Sequence, residues 1–298
     1  DLVILLSPEK ETNVAINLSN PPGKQFVFSG QYATINNEWC QPELITKIPP
    51  VYSDGDLLDS IVGISANEFK KRCINQYKRY VTHNNAQLQF SEDTRTLANL
   101  SCAFDCLENL QATHYCLQTA YQKKENITRE QAFAAFLDVY LPDDFHNYLK
   151  DFPVNHPLAL YCYNYRNVVM DLYDTHKDPL AYEKNLLKNA PLTKEEQTLI
   201  HQYETAFKAG ISFQQESELM ALSAKYFKEN DLFRWESFSK AKERLSNIIQ
   251  DSTSLIVDYI RAIYMRSSFY NLQPLTPRQE LMASEITNPI FLGIIQDM

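Results

Sequence analysis

The sequence predicts a mainly α fold: an irregular antiparallel array or bundle of about nine helices behind a small β-containing N-terminal segment. Three observations carry that expectation. Glycine is scarce, with six in 298 residues against about twenty at ordinary usage, and Gly23, Gly30 and Gly55 fall within the first 60 positions. Beyond them, apolar residues recur at helical spacing behind hydroxyl-plus-carboxylate capping signatures. Prolines crowd the start instead, at Pro8, Pro21, Pro22, Pro42, Pro49 and Pro50. The shift in composition divides the chain into 1–60, a β-rich or irregular segment packed on the body, and 61–298, a helical domain.

Within the first segment, Leu2–Leu6, Val14–Leu18, Gln25–Phe28 and Gln31–Ile35 read as short strands separated by turn signals such as Asn20-Pro21-Pro22-Gly23. Val14, Ile16 and Leu18 alternate with polar or small residues, the period of a half-buried strand.

Ser65-Ala66-Asn67-Glu68 is a capping-box match and opens a helix to about Tyr80. Ser91-Glu92-Asp93 opens a longer one through residues 93–123. Thr128-Arg129-Glu130-Gln131 starts another, ended by Pro142. Helices follow over 142–150, 156–175, 179–189 and 193–209, the last capped by Thr193 and Glu196. Residues 214–229 and 232–270 complete the body, and Thr276-Pro277 introduces a short helix over 276–286. Leu245, Ile249, Leu255, Ile256, Ile260 and Ile263 make 232–270 the most strongly periodic stretch, with Asp251-Ser252-Thr253-Ser254 as its natural kink. No repeat of the tetratricopeptide or ankyrin kind aligns.

The six cysteines are Cys40, Cys73, Cys102, Cys106, Cys116 and Cys162. On a helix over 93–123, Cys102, Cys106, Asn109, Thr113 and Cys116 share a small-residue face opposite Leu97, Leu100, Phe104 and Leu107. Residues four apart sit about 5–6 Å apart at Cβ, beyond the roughly 3.8 Å of a disulfide. Cys102 and Cys106 therefore need partners elsewhere, which Cys40, Cys73 and Cys162 supply. An even cysteine count read this way places the chain in an oxidising space, periplasmic or secreted; six reduced thiols in the cytoplasm are the alternative.

Charge narrows the partners. The net charge is −9, which argues against sequence-independent binding to nucleic acid and suits a basic protein partner. No stretch reaches the roughly 18 apolar residues of a membrane span. The chain contains no Gly-x-Ser-x-Gly elbow, phosphate loop, His-Glu-x-x-His or dinucleotide fingerprint. No motif implies a cofactor or a metal: the ligand-type residues Cys102, Cys106, His114 and Cys116 are spread too far along one helix to meet at one ion.

Two functional expectations follow. The first is a non-enzymatic protein-binding module, an adaptor, chaperone or toxin-neutralising immunity protein, from a bacterium whose genome favours Asn, Lys, Tyr and Ile. Its contact surface is the aromatic helix bearing Tyr161, Tyr163, Tyr165 and Arg166, because tyrosine and arginine concentrate binding energy. The second is an α-helical hydrolase or secreted effector using His146, His201, Asp144 and Glu204. The basic-aromatic run Lys70-Lys71-Arg72, Tyr77, Lys78-Arg79 and Tyr80 reads as a solvated helix face.

Overall fold

A computed structural model of the chain describes residues 11–21, 25–39, 41, 43–51, 55–129, 131–132, 143–173, 190–208, 214–226, 230–249, 254–270 and 274–296. Among them the chain is mainly helical, with twelve α-helices and one two-stranded antiparallel sheet near the N-terminus. The strands expected at Leu2–Leu6 and the helix expected over 179–189 lie outside the described residues. Two compact units emerge: Asp1–Asn126 with Val139–Val168, and Ile127–Asp138 with Val169–Met298.

The first unit opens with β1 (Thr12–Ile16) and β2 (Phe26–Gly30), paired with Val14 opposite Phe28. Gly30 is required where it stands. Its φ of 91° is left-handed, and a Cβ there would meet Glu11 O at 2.3 Å. The alternating apolar residues of the expected strand do not reach the core: Val14 is 41% and Ile16 60% exposed in β1, Leu18 beyond its end is 74% exposed, and of the hairpin Phe28 alone among the described side chains is buried.

The third expected strand, Gln31–Ile35, is corrected to a helix. Tyr32 turns the chain at φ 57°, and α1 (Ala33–Trp39) follows. The reason is tertiary. From the helix, Asn37 accepts from Phe28 N at 2.8 Å and donates to Phe28 O at 2.9 Å, occupying the edge where a third strand would pair. Glu38 anchors the other side, accepting from the amide and hydroxyl of Ser91 and from Thr94 Oγ1.

Next come α2 (Gly55–Ser60), α3 (Ala66–Ala86), α4 (Glu92–Gln111) and α5 (Thr113–Glu125). Ser65 and Ser91 cap α3 and α4 by accepting from Glu68 N and Thr94 N. Helix α4 is the core of the unit: Leu97, Leu100, Phe104 and Leu107 are buried on one side and Ala98, Cys102, Cys106 and Asn109 on the other. The single helix expected over 93–123 is broken at Ala112, whose ψ of 8° leaves helical geometry. Beside it the buried Thr113 hydroxyl donates back to Leu110 O at 2.6 Å.

Thr128 and Gln131 exchange side-chain and backbone hydrogen bonds as the sequence signature requires, and the rest of that helix lies outside the described residues. The stretch 142–150 is a 3-10 helix, Asp143–Asp151. The helix expected over 156–175 is two elements: a 3-10 turn, Pro157–Tyr161, and α6 (Tyr165–Tyr173).

In the second unit, α7 (Lys194–Lys208) and α8 (Glu216–Lys225) close a small core of Ile200, Leu219, Leu222 and Tyr226. In the long periodic stretch the described helices are α9 (Asn230–Ile249) and α10 (Leu255–Tyr270), with Ser254 in a bend before the second. Phe238 and Tyr264 stack across them at 5.1 Å between ring centroids. Helix α11 (Pro277–Ser284) carries a complete capping box from Thr276 and Gln279. A last helix the sequence reading does not anticipate, α12 (Pro289–Gln296), starts where Asp258 of α10 accepts from the amides of Thr287 and Asn288.

The disulfides are also corrected. Cys73, Cys102, Cys106, Cys116 and Cys162 are buried free thiols, and Cys40 lies outside the described residues. Burial pushes Cys73, Cys102 and Cys162 up to about 12 and raises Cys106 as well. These thiols act as small apolar side chains, and the cysteine argument for an oxidising compartment falls away with the disulfides. No described helix is long and apolar enough to cross a membrane.

Candidate functional site

The tyrosines expected on one helix are distributed over a turn. His156 accepts from Leu158 N through Nδ1 and Pro157 holds the first position, so a tight 3-10 turn forms and ends at Tyr161. The chain then rounds Cys162–Asn164 before α6 begins. This breaks the helical phase and sends neighbouring rings to different environments. Tyr161 is half-buried, edge-on to Tyr32 at 6.1 Å, and the hydrogen bond with the Tyr32 hydroxyl, aided by burial, pushes its phenol up to about 12. Tyr163 is 86% exposed, the most exposed of the large apolar side chains described, and Arg166 is exposed three residues on. Tyr165 is 2% exposed and packs edge-on against Phe104 at 5.0 Å. Of the four residues, Tyr163 and Arg166 are exposed, Tyr161 is half-buried on Tyr32, and Tyr165 serves the core.

A second constellation lies along α4. Residues 45–50 form neither helix nor strand, and together with Val51, which is in a 3-10 turn, they run over the helix as a strap gripped by its main chain. Asn84 of α3 accepts from Ile45 N at 3.0 Å and donates to Ile45 O at 2.9 Å. Ser101 donates to Thr46 O, and the Cys102 thiol to Ile45 O. Asp105 accepts from Ile48 N at 2.6 Å, while Asn109 donates to Pro49 O and accepts from Val51 N.

Ser101, Asp105 and Asn109 are four residues apart, so one helical face meets successive positions of the strap over about 12 Å. Burial pushes the Asp105 carboxyl above the ordinary carboxylate range, although Ile48 N and Asn164 Nδ2, which donates at 2.8 Å, offset part of that shift.

The sequence reading places Asn109 on the small-residue face; there its hydrogen bonds go to a segment that is not a helix partner but the strap. Asn84 and Asp105 are missed altogether. Their signal is an amide or carboxylate on the buried face of an amphipathic helix, and it takes its meaning only from the segment laid across it.

His201 is exposed and Glu204 half-buried, one turn apart on α7. The side chains of Asp144 and His146 lie outside those described. Among the described residues no group of three or more His, Cys, Asp or Glu side chains is placed to hold a metal ion.

The basic-aromatic run of α3 is partly spent on the first unit itself. Lys70 lies 4.7 Å above the Phe145 ring and donates to Phe145 O, and Tyr77 stacks on Phe152 at 4.9 Å. Arg72 pairs with Glu68 and donates to Ser60 O.

No protein-family model, curated protein or solved structure matches the chain.

Proposed function

We propose that the chain is a non-enzymatic protein-binding module whose contact surface is centred on Tyr163 and Arg166. The observation that carries this reading is the 86% exposure of Tyr163, an aromatic ring held in water three residues before the exposed Arg166. A ring in that position gains nothing from its own fold and gains most when a partner desolvates it, which is why tyrosine and arginine dominate binding hot spots. Tyr161, two residues earlier in the chain, is braced edge-on against Tyr32. The net charge of −9 favours a basic partner over nucleic acid.

The test is a pull-down from the source organism with the full chain, beside the double variant Tyr163→Ala, Arg166→Glu and a control, Lys71→Ala. A partner kept by wild type and Lys71→Ala but weakened at least tenfold by the double variant supports the reading. Equal retention by all three chains overturns it.

A further inference from the structure

We propose that the open edge of β1 is a self-association surface: two copies of the chain meet antiparallel along Thr12–Ile16 and join their hairpins into one continuous sheet. The direction of each main-chain group follows from the hairpin's own bonds. Asn17 donates through its amide to Gln25 O, and Gln31 through its amide to Glu11 O. Antiparallel pairs alternate, so Asn13 and Ala15 bond inward to β2 while the amides and carbonyls of Thr12, Val14 and Ile16 point away from it. On β2 the same alternation sends the groups of Phe28 outward, and there Asn37 of α1 takes both. The outward groups of Thr12, Val14 and Ile16 have no partner among the described residues.

This edge lacks the devices that keep edge strands apart. Residues 12–20 and 25–37 contain no charged side chain and no proline, whereas exposed edges are ordinarily blunted by lysine, proline or an inward-pointing charge. Among the described residues eight large apolar side chains are exposed, and four of them, Val14, Ile16, Leu18 and Val27, belong to this hairpin and its turn. Exposed apolar residues scattered singly need no partner, but a cluster marks a surface that another one covers. A two-stranded sheet is also marginal by itself, and further strands complete it.

Three features select a second copy as the occupant. With Phe28 of β2 already bonded by Asn37, each hairpin offers β1 alone, so the contact pairs like with like and closes at a dimer. The chain carries a net charge of −9, and copies that repel elsewhere can meet along a charge-free strand. The strand is also self-complementary when Ala15 faces Ala15 of the second copy. Val14 then exchanges main-chain bonds with Ile16 of the second copy, and the two apolar side chains lie opposite each other. Val14 and Ile16 share a face with Phe28 and Phe26, so the counterpart strand extends that apolar face and covers its exposed margin.

The test uses the full chain and touches neither Tyr163 nor Arg166, so this surface and that one can fail separately. Sedimentation velocity over a concentration series should show a reversible monomer–dimer equilibrium. Ile16→Lys, at a side chain already exposed, should raise the dissociation constant at least tenfold. Oxidised Ala15→Cys should run as a covalent dimer, whereas Asn13→Cys, set opposite Asn17 of the second copy by this register, should not. Amide hydrogen exchange reads the same edge without any variant. Val14 and Ile16 should slow at least tenfold from dilute to concentrated protein, while Ala15, bonded to β2, stays constant. Wild type that remains monomeric at every concentration overturns the proposal, whether its edge proves open or covered from within the chain. A dimer that Ile16→Lys leaves intact, or that never crosslinks through Ala15→Cys, overturns it as well.

Discussion

Asn84 holds Ile45 by both main-chain groups, accepting from its amide at 3.0 Å and donating to its carbonyl at 2.9 Å. The same amide group also donates to Asn99 Oδ1 at 3.2 Å, so one buried side chain ties the strap to two helices. Truncation in Asn84→Ala leaves these backbone groups without their partner, and each unsatisfied buried group costs about 1–3 kcal/mol. We expect a loss of about 2–4 kcal/mol in urea unfolding, by the same bookkeeping. A loss below about 0.5 kcal/mol, the ordinary range for a surface substitution, would show that the strap does not depend on this grip.

In the second unit, Arg261 donates to Asp258 at 2.6 Å and to Glu285 at 3.0 Å, with both members of the Arg261–Asp258 pair almost fully buried. Asp258 also accepts from Thr287 Oγ1 and from the amides of Thr287 and Asn288. Asp258→Leu leaves the buried Arg261 guanidinium with Glu285 alone and the Thr287 and Asn288 amides without their acceptor, and the expected loss is about 3–5 kcal/mol. The double replacement Asp258→Leu, Arg261→Met removes both charges and should recover part of that loss. Thermal unfolding of the single and double variants measures it. A double variant less stable than Asp258→Leu would mean that the charges contribute more than their desolvation takes away.

Glu196 joins the start of α7 to the end of α8. Hydrogen bonds from Lys225 Nζ at 2.6 Å, from Thr193 N at 2.8 Å and from the Tyr226 hydroxyl at 2.8 Å hold its carboxyl down at about 2. Its folded value is below its unfolded one, so its stabilising effect is complete above pH 4.5 and disappears as pH falls from there to about 2. Glu196→Gln should lose stability at neutral pH and lie closer to wild type at pH 2.5. Melting temperatures measured across this range check it, and wild-type and variant curves that stay parallel exclude the linkage.

The buried thiols give a chemical test. With Cys73, Cys102 and Cys162 pushed up to about 12 by burial, little thiolate exists at pH 8. Cys73, Cys102, Cys106, Cys116 and Cys162 should resist a thiol-specific reagent in buffer and react together once denaturant unfolds the first unit. Mass spectrometry of the native protein under non-reducing conditions should find these five unpaired; a disulfide joining any two would show that they are not free thiols.

Helix beginnings are legible because a cap acts within one turn. Ser65, Ser91, Thr128, Thr193 and Thr276 each accept from the amide three residues on, and no distant residue is needed to write that interaction. The same locality makes the glycine-poor, helix-rich body readable from composition and spacing. By contrast, Gln31–Ile35 has a strand's residues and becomes a turn and helix because Asn37 reaches back to Phe28. Ala112 has no breaker signal of its own beyond the Thr113 hydroxyl that follows it.

The candidate surface follows the same division. Tyr163 and Arg166 are visible in the chain as residue types suited to binding, but a turn at Cys162–Asn164 decides that Tyr163 faces water while Tyr165 packs on Phe104. The clamp on the strap is not visible at all, since Asn84 lies 39 residues from Ile45 and Asp105 lies 57 from Ile48. One-dimensional order thus determines where rods start and which faces are apolar, because those terms act over a few residues. Which polar side chain meets which distant amide is decided only when the rods pack, because burial turns an ordinary asparagine into a specific clamp.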